Sequence, residues 1–296
     1  MDKVLATEGI SLEMVKEAAT RVAPWVHKTP VLSSSSLDQI AGLQLFFKAE
    51  NFQKTGSFKA RGACNAVFHA MEESKKDGKK LPGIVTHSTG NHGQAVAYAS
   101  KCAGLPCCVV VPNDTPDIKC QAIEGIRVPD LDAILVPISG GGMTAGIAVA
   151  VKALRPQCKV YAVEPAGKEL GSSLVAKKRL WHNPPQFLPT VADSIRTQQV
   201  GELTFPVLCS LVEPEVFTVT DPQMMQGMRL ALTRMKVVVE AASGAAVYAA
   251  VQQLKQRCPD VQRAGVVLCG GNTGFTPLPQ MLLEEPALGR STTVTP

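Results

Sequence analysis

The chain has 296 residues, of which 45% are hydrophobic, 19% charged and 5% aromatic, with a net charge of +5. That length allows one large domain or a large and a small one; the composition excludes a disordered chain and leaves the core to Val, Leu, Ile and Ala. No stretch approaches the roughly 18 uninterrupted apolar residues of a membrane span, the N-terminal segment lacks a signal peptide's apolar centre, and the charge is spread without basic blocks, so a cytoplasmic protein with no membrane or nucleic-acid partner is expected.

In chain order, Ser11 followed by Leu12, Val15, Ala18, Ala19 and Val22 reads as a capped amphipathic helix that ends near Pro24. Short strand runs come next, with an apolar strand over residues 43–49, and a polar turn over 51–57 leads into a small-residue helix over 58–71. Residues 72–80 form a charged surface segment. From Gly83 the pattern is regular: strand 84–87, helix 94–102, strand 107–111, helix 118–124, strand 133–136, helix 143–154, strand 160–163. A Pro-rich connection around 184–189 precedes a strand at 216–219, helices at 222–234 and 242–254, and a last strand at 265–269; the residues after Pro277 read as a polar tail. Strands alternating with helices predict an α/β fold with parallel sheets and ligands at the carboxyl ends of the strands. Nine cysteines, odd in number and without a CxxC pair, point to buried thiols rather than disulfides or zinc.

Four loops carry the chemistry. Ser139, Gly140, Gly141, Gly142 and Met143 lie between a strand and a helix, where bare amides and the helix dipole can cradle a phosphate. A plain tight turn is the simpler alternative, and Gly140, Gly142 and Ala145 with Glu164 also satisfy the dinucleotide fingerprint, so this loop alone is compatible with NAD. Lys59 follows Ser57 and Phe58 at a helix start, where the positive helix end and partial burial favour the neutral amine needed for imine formation; a solvated lysine is the alternative. Ser88, Thr89, Gly90, Asn91 and His92 sit between strand and helix, with hydroxyl, amide and backbone donors for a carboxylate or a phenolate. His92 suits acid-base chemistry or, more commonly, a cap or packing role. The final strand ends at Cys269, a partner for a ring nitrogen or a buried core thiol.

Taken together, SFKARG, HSTGNHGQ, SGGGM and CGGN resemble the fold-type II pyridoxal-phosphate enzymes of the serine racemase and serine/threonine dehydratase family. The likeness runs from about Thr29 to Thr273 with one interruption, and the order of its motifs argues against NAD, because a dinucleotide-binding protein has no reason to carry the lysine turn. The resemblance implies a fold of the tryptophan synthase beta type, with a large cofactor domain over residues 1–80 and 130–296 and a shortened small domain over 81–129. It implies that Lys59 carries the cofactor as a Schiff base, that Phe58 and Asn91 contact the ring, that Ser139 to Met143 hold the phosphate, and that Cys269 meets the pyridine nitrogen. Substrate contacts are implied at Ser88, Thr89, Gly90, Asn91, His92 and Asp193, with Lys59 and Thr89 as proton carriers on opposite faces. L-serine, with L-threonine as a second candidate, is the implied substrate, and a homodimer the implied assembly. Weaker transfers are an ATP effector site at Ser34, Ser35, Ser36, Lys54, Thr55, Gln94, Lys236 and Asn272, and a magnesium or calcium ion near Asp132 and Glu164.

Four departures from the family pattern stand out. Thr89 replaces a serine, and its extra methyl stiffens χ1; Ser139 replaces a glycine; the third metal position falls on Leu170. The largest is a gap: between about Glu124 and Asp132 the chain offers only GIRVPDL where the family carries roughly fifty more residues, a figure read from pattern. Two strands then remain for the small domain, and a two-stranded pair covers little apolar surface. A shortened, catalytically silent partner protein is therefore the alternative to an active enzyme.

Overall fold

The computed structural model describes residues 10–88, 90–110 and 130–273. Helix α1, Leu12–Val22, is capped as expected: the Ser11 hydroxyl accepts from the Met14 amide at 3.2 Å. A two-residue strand β1, Val31–Leu32, and a helix α2, Ser35–Ala41, follow; α2 was not foreseen, although Ser34 at its start and left-handed Gly42 at its end are ordinary boundary residues. Strand β2, Gln44–Ala49, buries Leu45, Phe47 and Ala49 on alternate positions. Helix α3, Lys59–Lys76, runs five residues past its predicted end, so much of the charged 72–80 segment is helical. Strand β3, Ile84–His87, helix α4, Asn91–Cys102, and strand β4, Cys107–Val110, complete the first half; α4 begins three residues earlier than expected. The predicted helix at 118–124 and the polar tail lie outside the described residues.

The second half holds β5, Ala133–Pro137, α5, Gly142–Leu154, and β6, Lys159–Pro165. Two helices either side of the Pro-rich connection, α6, Leu170–Ala176, and α7, Phe205–Leu211, were not foreseen. Then come β7, Phe217–Val219, α8, Asp221–Leu230, α9, Ala241–Tyr248, and β8, Arg263–Leu268. The backbone after α8 and after α9 widens into single π-turns.

Six strands form one sheet in the order β1-β2-β8-β5-β6-β7, parallel throughout except for the antiparallel edge strand β1. β6 and β8 are buried along nearly their whole length, as strands covered on both faces must be. Helix α9 crosses α8 so closely that a methyl group on Gly227 would collide with the Gly244 carbonyl, which restricts that crossing to glycine. β3 and β4 form a separate two-stranded parallel sheet. A second, small core joins Val22 of α1 and Ala63, Cys64 and Val67 of α3 to Ala95, Val96 and Ala99 of α4. The helices preceding residue 81 thus supply much of the support for the unit that contains the small sheet. Among the described residues no helix is long and apolar enough to cross a membrane.

Candidate active site

The loops singled out in the sequence converge where the parallel strands end, as expected for an open α/β sheet. One cavity of about 800 Å³ is lined by Phe58, Lys59, His92, Ser139 to Met143, Ser194, Thr204 and Cys269. The lysine turn is laced to the end of β8: the Phe58 amide donates to the Cys269 carbonyl at 3.0 Å and the Gly271 amide to the Gly56 carbonyl at 2.9 Å. Lys59 therefore begins α3 beside Cys269, with its Nζ 5.1 Å from the Phe58 ring centroid. Burial lowers the Lys59 pKa against the opposing pull of the Glu240 carboxylate, so a neutral amine is more accessible here than in water.

The glycine loop has the shape of an anion cradle. Gly141 adopts φ +91°, and a Cβ there would lie 2.9 Å from the Thr204 hydroxyl, whereas positions 140 and 142 face open space. The loop is braced from beneath, because the Thr204 hydroxyl donates to the Gly140 carbonyl at 2.7 Å and the Gly201 amide donates to the same oxygen at 2.9 Å. No side chain caps the start of α5, and the buried Thr144 hydroxyl within the cavity wall has no hydrogen-bond partner. Exposed amides at a 13-residue helix N-terminus with a spare hydroxyl fit a phosphate group.

Glu240, which the sequence reading overlooked, ties the site together. It is buried at the start of α9 and accepts from Asn91 Nδ2 at 2.8 Å and Ser194 Oγ at 2.8 Å. The Cys269 thiol lies 3.7 Å from its Oε1 and 3.5 Å from Ser243 Oγ. Burial raises the pKa of Glu240, and burial next to Glu240 raises that of Cys269 well above the usual thiol value, so Cys269 is a neutral thiol. A lone carboxylate in the apolar run VVVEAASGAA was the available signal. Asn91 Oδ1 accepts from Asn272 Nδ2 at 2.7 Å, which leaves the second Nδ2 hydrogen as its remaining donor. His92 is exposed on the cavity lining, and partial burial together with Lys59 favours its neutral form.

The remaining predicted residues are placed as follows. Ser88 Oγ accepts from the Gly90 amide at 3.3 Å, and Asp193 Oδ2 comes within 4.0 Å of a Cβ built on Gly90, so Asp193 faces this loop. Thr89 lies outside the described residues. Of the eight residues read as a nucleotide site, local bonds place two groups, around Ser34 and around Asn272. Ser34 reaches the Arg234 carbonyl at 3.5 Å near Lys236, with Ser36 beside it and Ser35 opening α2; Asn272 donates to the Thr55 carbonyl at 2.8 Å, next to Lys54. Gln94 Oε1 is buried without a partner. The expected metal pair is not a pair. Asp132 precedes β5 and binds the Gln262 and Arg263 amides, whereas Glu164 lies at the far end of β6, roughly 20 Å along the strand direction. Both Glu164 oxygens are taken, by the Leu170 amide at 3.0 Å and the Thr218 hydroxyl at 3.1 Å, and the described residues hold no cluster of three or more His, Cys, Asp or Glu.

A primary amine beside an anion cradle in one cavity suits pyridoxal phosphate, with the aldehyde on the amine and the phosphate on the cradle, and the family described as "Pyridoxal-phosphate dependent enzyme" matches residues 22–126 and 120–270. The chain belongs to that family. Among its relatives, mouse (Mus musculus) serine racemase is 38% identical, covering 91% of this chain and 93% of the relative. A pyridoxal 5'-phosphate-dependent aspartate racemase of known structure is 40% identical with a TM-score of 0.84, covering 92% and 98% of the two chains. A T.th. threonine deaminase of known structure is 34% identical with a TM-score of 0.71, covering 90% and 100%. The fold is thereby the fold-type II α/β architecture. The mouse alignment runs over 323 positions yet takes in only 91% of this 296-residue chain, which leaves roughly fifty positions of the relative without a counterpart. The two pieces of the family match overlap at residues 120–126, bordering the 125–131 segment where the sequence pattern located the gap.

Proposed function

We propose that this protein acts at the α-carbon of L-serine, interconverting L- and D-serine and, by loss of the β-hydroxyl, releasing pyruvate and ammonia. The observation that carries the reading is the half-buried Lys59 amine sharing one cavity with the braced Gly140–Gly142 amides and the neutral Cys269 thiol. Bound pyridoxal phosphate supplies the electron sink that makes the substrate's α-hydrogen acidic. Ser139 to Met143 bind the phosphate, Phe58 and Asn91 orient the ring, and Cys269 partners the pyridine nitrogen without protonating it. Lys59 Nζ anchors the cofactor, then takes and returns the proton on one face, and the Thr89 hydroxyl serves the other. Ser88, Gly90, Asn91, His92 and Asp193 hold the amino acid's carboxylate and amino ends.

The reading extends to L-threonine as a second substrate, to a cytoplasmic homodimer whose contacts lie on a large domain over residues 1–80 and 130–296, with the shortened small domain over 81–129, and to ATP as an effector at the two groups around Ser34 and Asn272. It leaves out a divalent ion shared by Asp132 and Glu164, which the fold keeps apart. The test is to incubate the purified chain with pyridoxal phosphate and each of L-serine, L-threonine and L-aspartate. D-serine and pyruvate from L-serine, at rates exceeding those of the other two, are expected; turnover of aspartate alone overturns the substrate assignment.

A further inference from the structure

Lys168 is among the largest fully buried side chains of the described residues, at 0% exposure, and nothing in the reaction above uses it. Lysines are seldom buried completely without a partner for the charge. Its Nζ donates to two main-chain oxygens, those of Thr197 and, at 3.2 Å, Gln198. Its backbone turn is held by the Trp181 indole, which donates to the Lys168 carbonyl at 2.6 Å. Both flanking residues have left-handed backbones, Gly167 at φ +89° and Glu169 at φ +58°, the second without glycine's freedom. That conformation turns the side chain inward, and surrounding contacts must maintain it. Burial works against its charged form, and the buried Glu164 carboxylate together with the two accepting carbonyls favours it. Glu164 for its part is raised by burial and drawn down by its hydrogen bonds from the Leu170 amide and the Thr218 hydroxyl, with Lys168 a smaller influence.

Two main-chain carbonyls with a nearby carboxylate are the oxygen donors a hard cation takes. We infer that the Lys168 ammonium is a resident internal cation, filling that oxygen cage at the end of β6 and positioning the 193–199 segment against the active site without a metal ion. The segment it holds carries Ser194, which donates to Glu240, and Thr197, whose hydroxyl accepts from Ser139 in the glycine loop at 3.4 Å. Lys168 is thus a positioning residue, linked through one strip of backbone to both the carboxylate and the phosphate cradle.

The test compares the wild-type chain with Lys168→Ala, Lys168→Met and Lys168→Arg, reading thermal midpoint and pyridoxal-phosphate affinity. The wild type is expected to keep both after chelation and on adding magnesium or calcium. Lys168→Ala should melt several degrees lower and bind the cofactor at least tenfold more weakly, and added methylammonium or potassium should restore both. Lys168→Met, neutral and of similar length, should not be rescued, and Lys168→Arg should stay closer to wild type than Lys168→Met. If Lys168→Ala fails to fold, the Arg and Met pair decides. A wild type stabilised by magnesium or calcium, or a Met variant equal to the wild type, overturns the inference. The thermal midpoints report on the tether even if the cofactor assignment fails.

Discussion

The two sheets of this molecule are built from similar apolar runs and end in very different surroundings. β5, at the middle of the six-stranded sheet, pairs with β6 and β8 and buries Leu135 and Val136 completely. In the two-stranded sheet Val85 remains 76% exposed and Cys107 and Cys108 lie on the surface. A strand owes its stability to what covers its faces, and among the described residues the small sheet is a single pair, β3 beside β4. The cofactor cradle belongs to the well-covered sheet, whereas the Ser88 to His92 loop hangs on the sparsely covered one.

That contrast can be broken or sharpened experimentally. Leu135→Ala should cost about 3–5 kcal/mol in denaturant unfolding, the range for a large core side chain that leaves a cavity. Gly141→Ala should cost about 2 kcal/mol by the same measurement, from its left-handed backbone and the contact with Thr204, and should weaken pyridoxal phosphate at least tenfold in a spectroscopic titration.

Next in size is a pH effect at Glu240. Its folded pKa is raised above the ordinary value of 4.5, so its contribution to stability is fully present below 4.5 and is lost as pH rises through the folded value. The Glu240→Gln variant mimics the protonated acid and should lack that decline, which amounts to at most about 1.4 kcal/mol per pH unit; Glu164, shifted the same way, leaves a residual slope. Midpoints measured from about pH 4 to about pH 8 check the difference. Smallest is Val85→Thr, expected within about 0.5 kcal/mol of wild type. Amide exchange should nevertheless find β3 and β4 opening well before β5 and β8.

The strands and the motif loops were legible because each is set by local pattern: apolar runs of strand length, and glycines where the backbone must turn or approach a ligand. Lys59 was legible from its turn, and its neighbour Cys269 from its place at a strand end. What escaped depends on contacts between distant segments. α2 escaped because the segment before residue 43 read as short strand runs, and α6 and α7 because prolines nearby read as a connection. Glu240 and Lys168 look like ordinary charged residues until the fold buries them against Asn91 and against the Thr197 carbonyl. The paired metal reading of Asp132 and Glu164 failed for a related reason: one stands at the start of a parallel strand and the other at the end of its neighbour.

The claim on which the account rests is that the Lys59 amine is the covalent anchor for pyridoxal phosphate. Borohydride reduction of the cofactor-loaded protein, followed by peptide mapping, tests it directly. The account predicts a single pyridoxyl group on the peptide containing Lys59 and none in Lys59→Ala; a label on another lysine, or an unlabelled chain that still turns over serine, contradicts it.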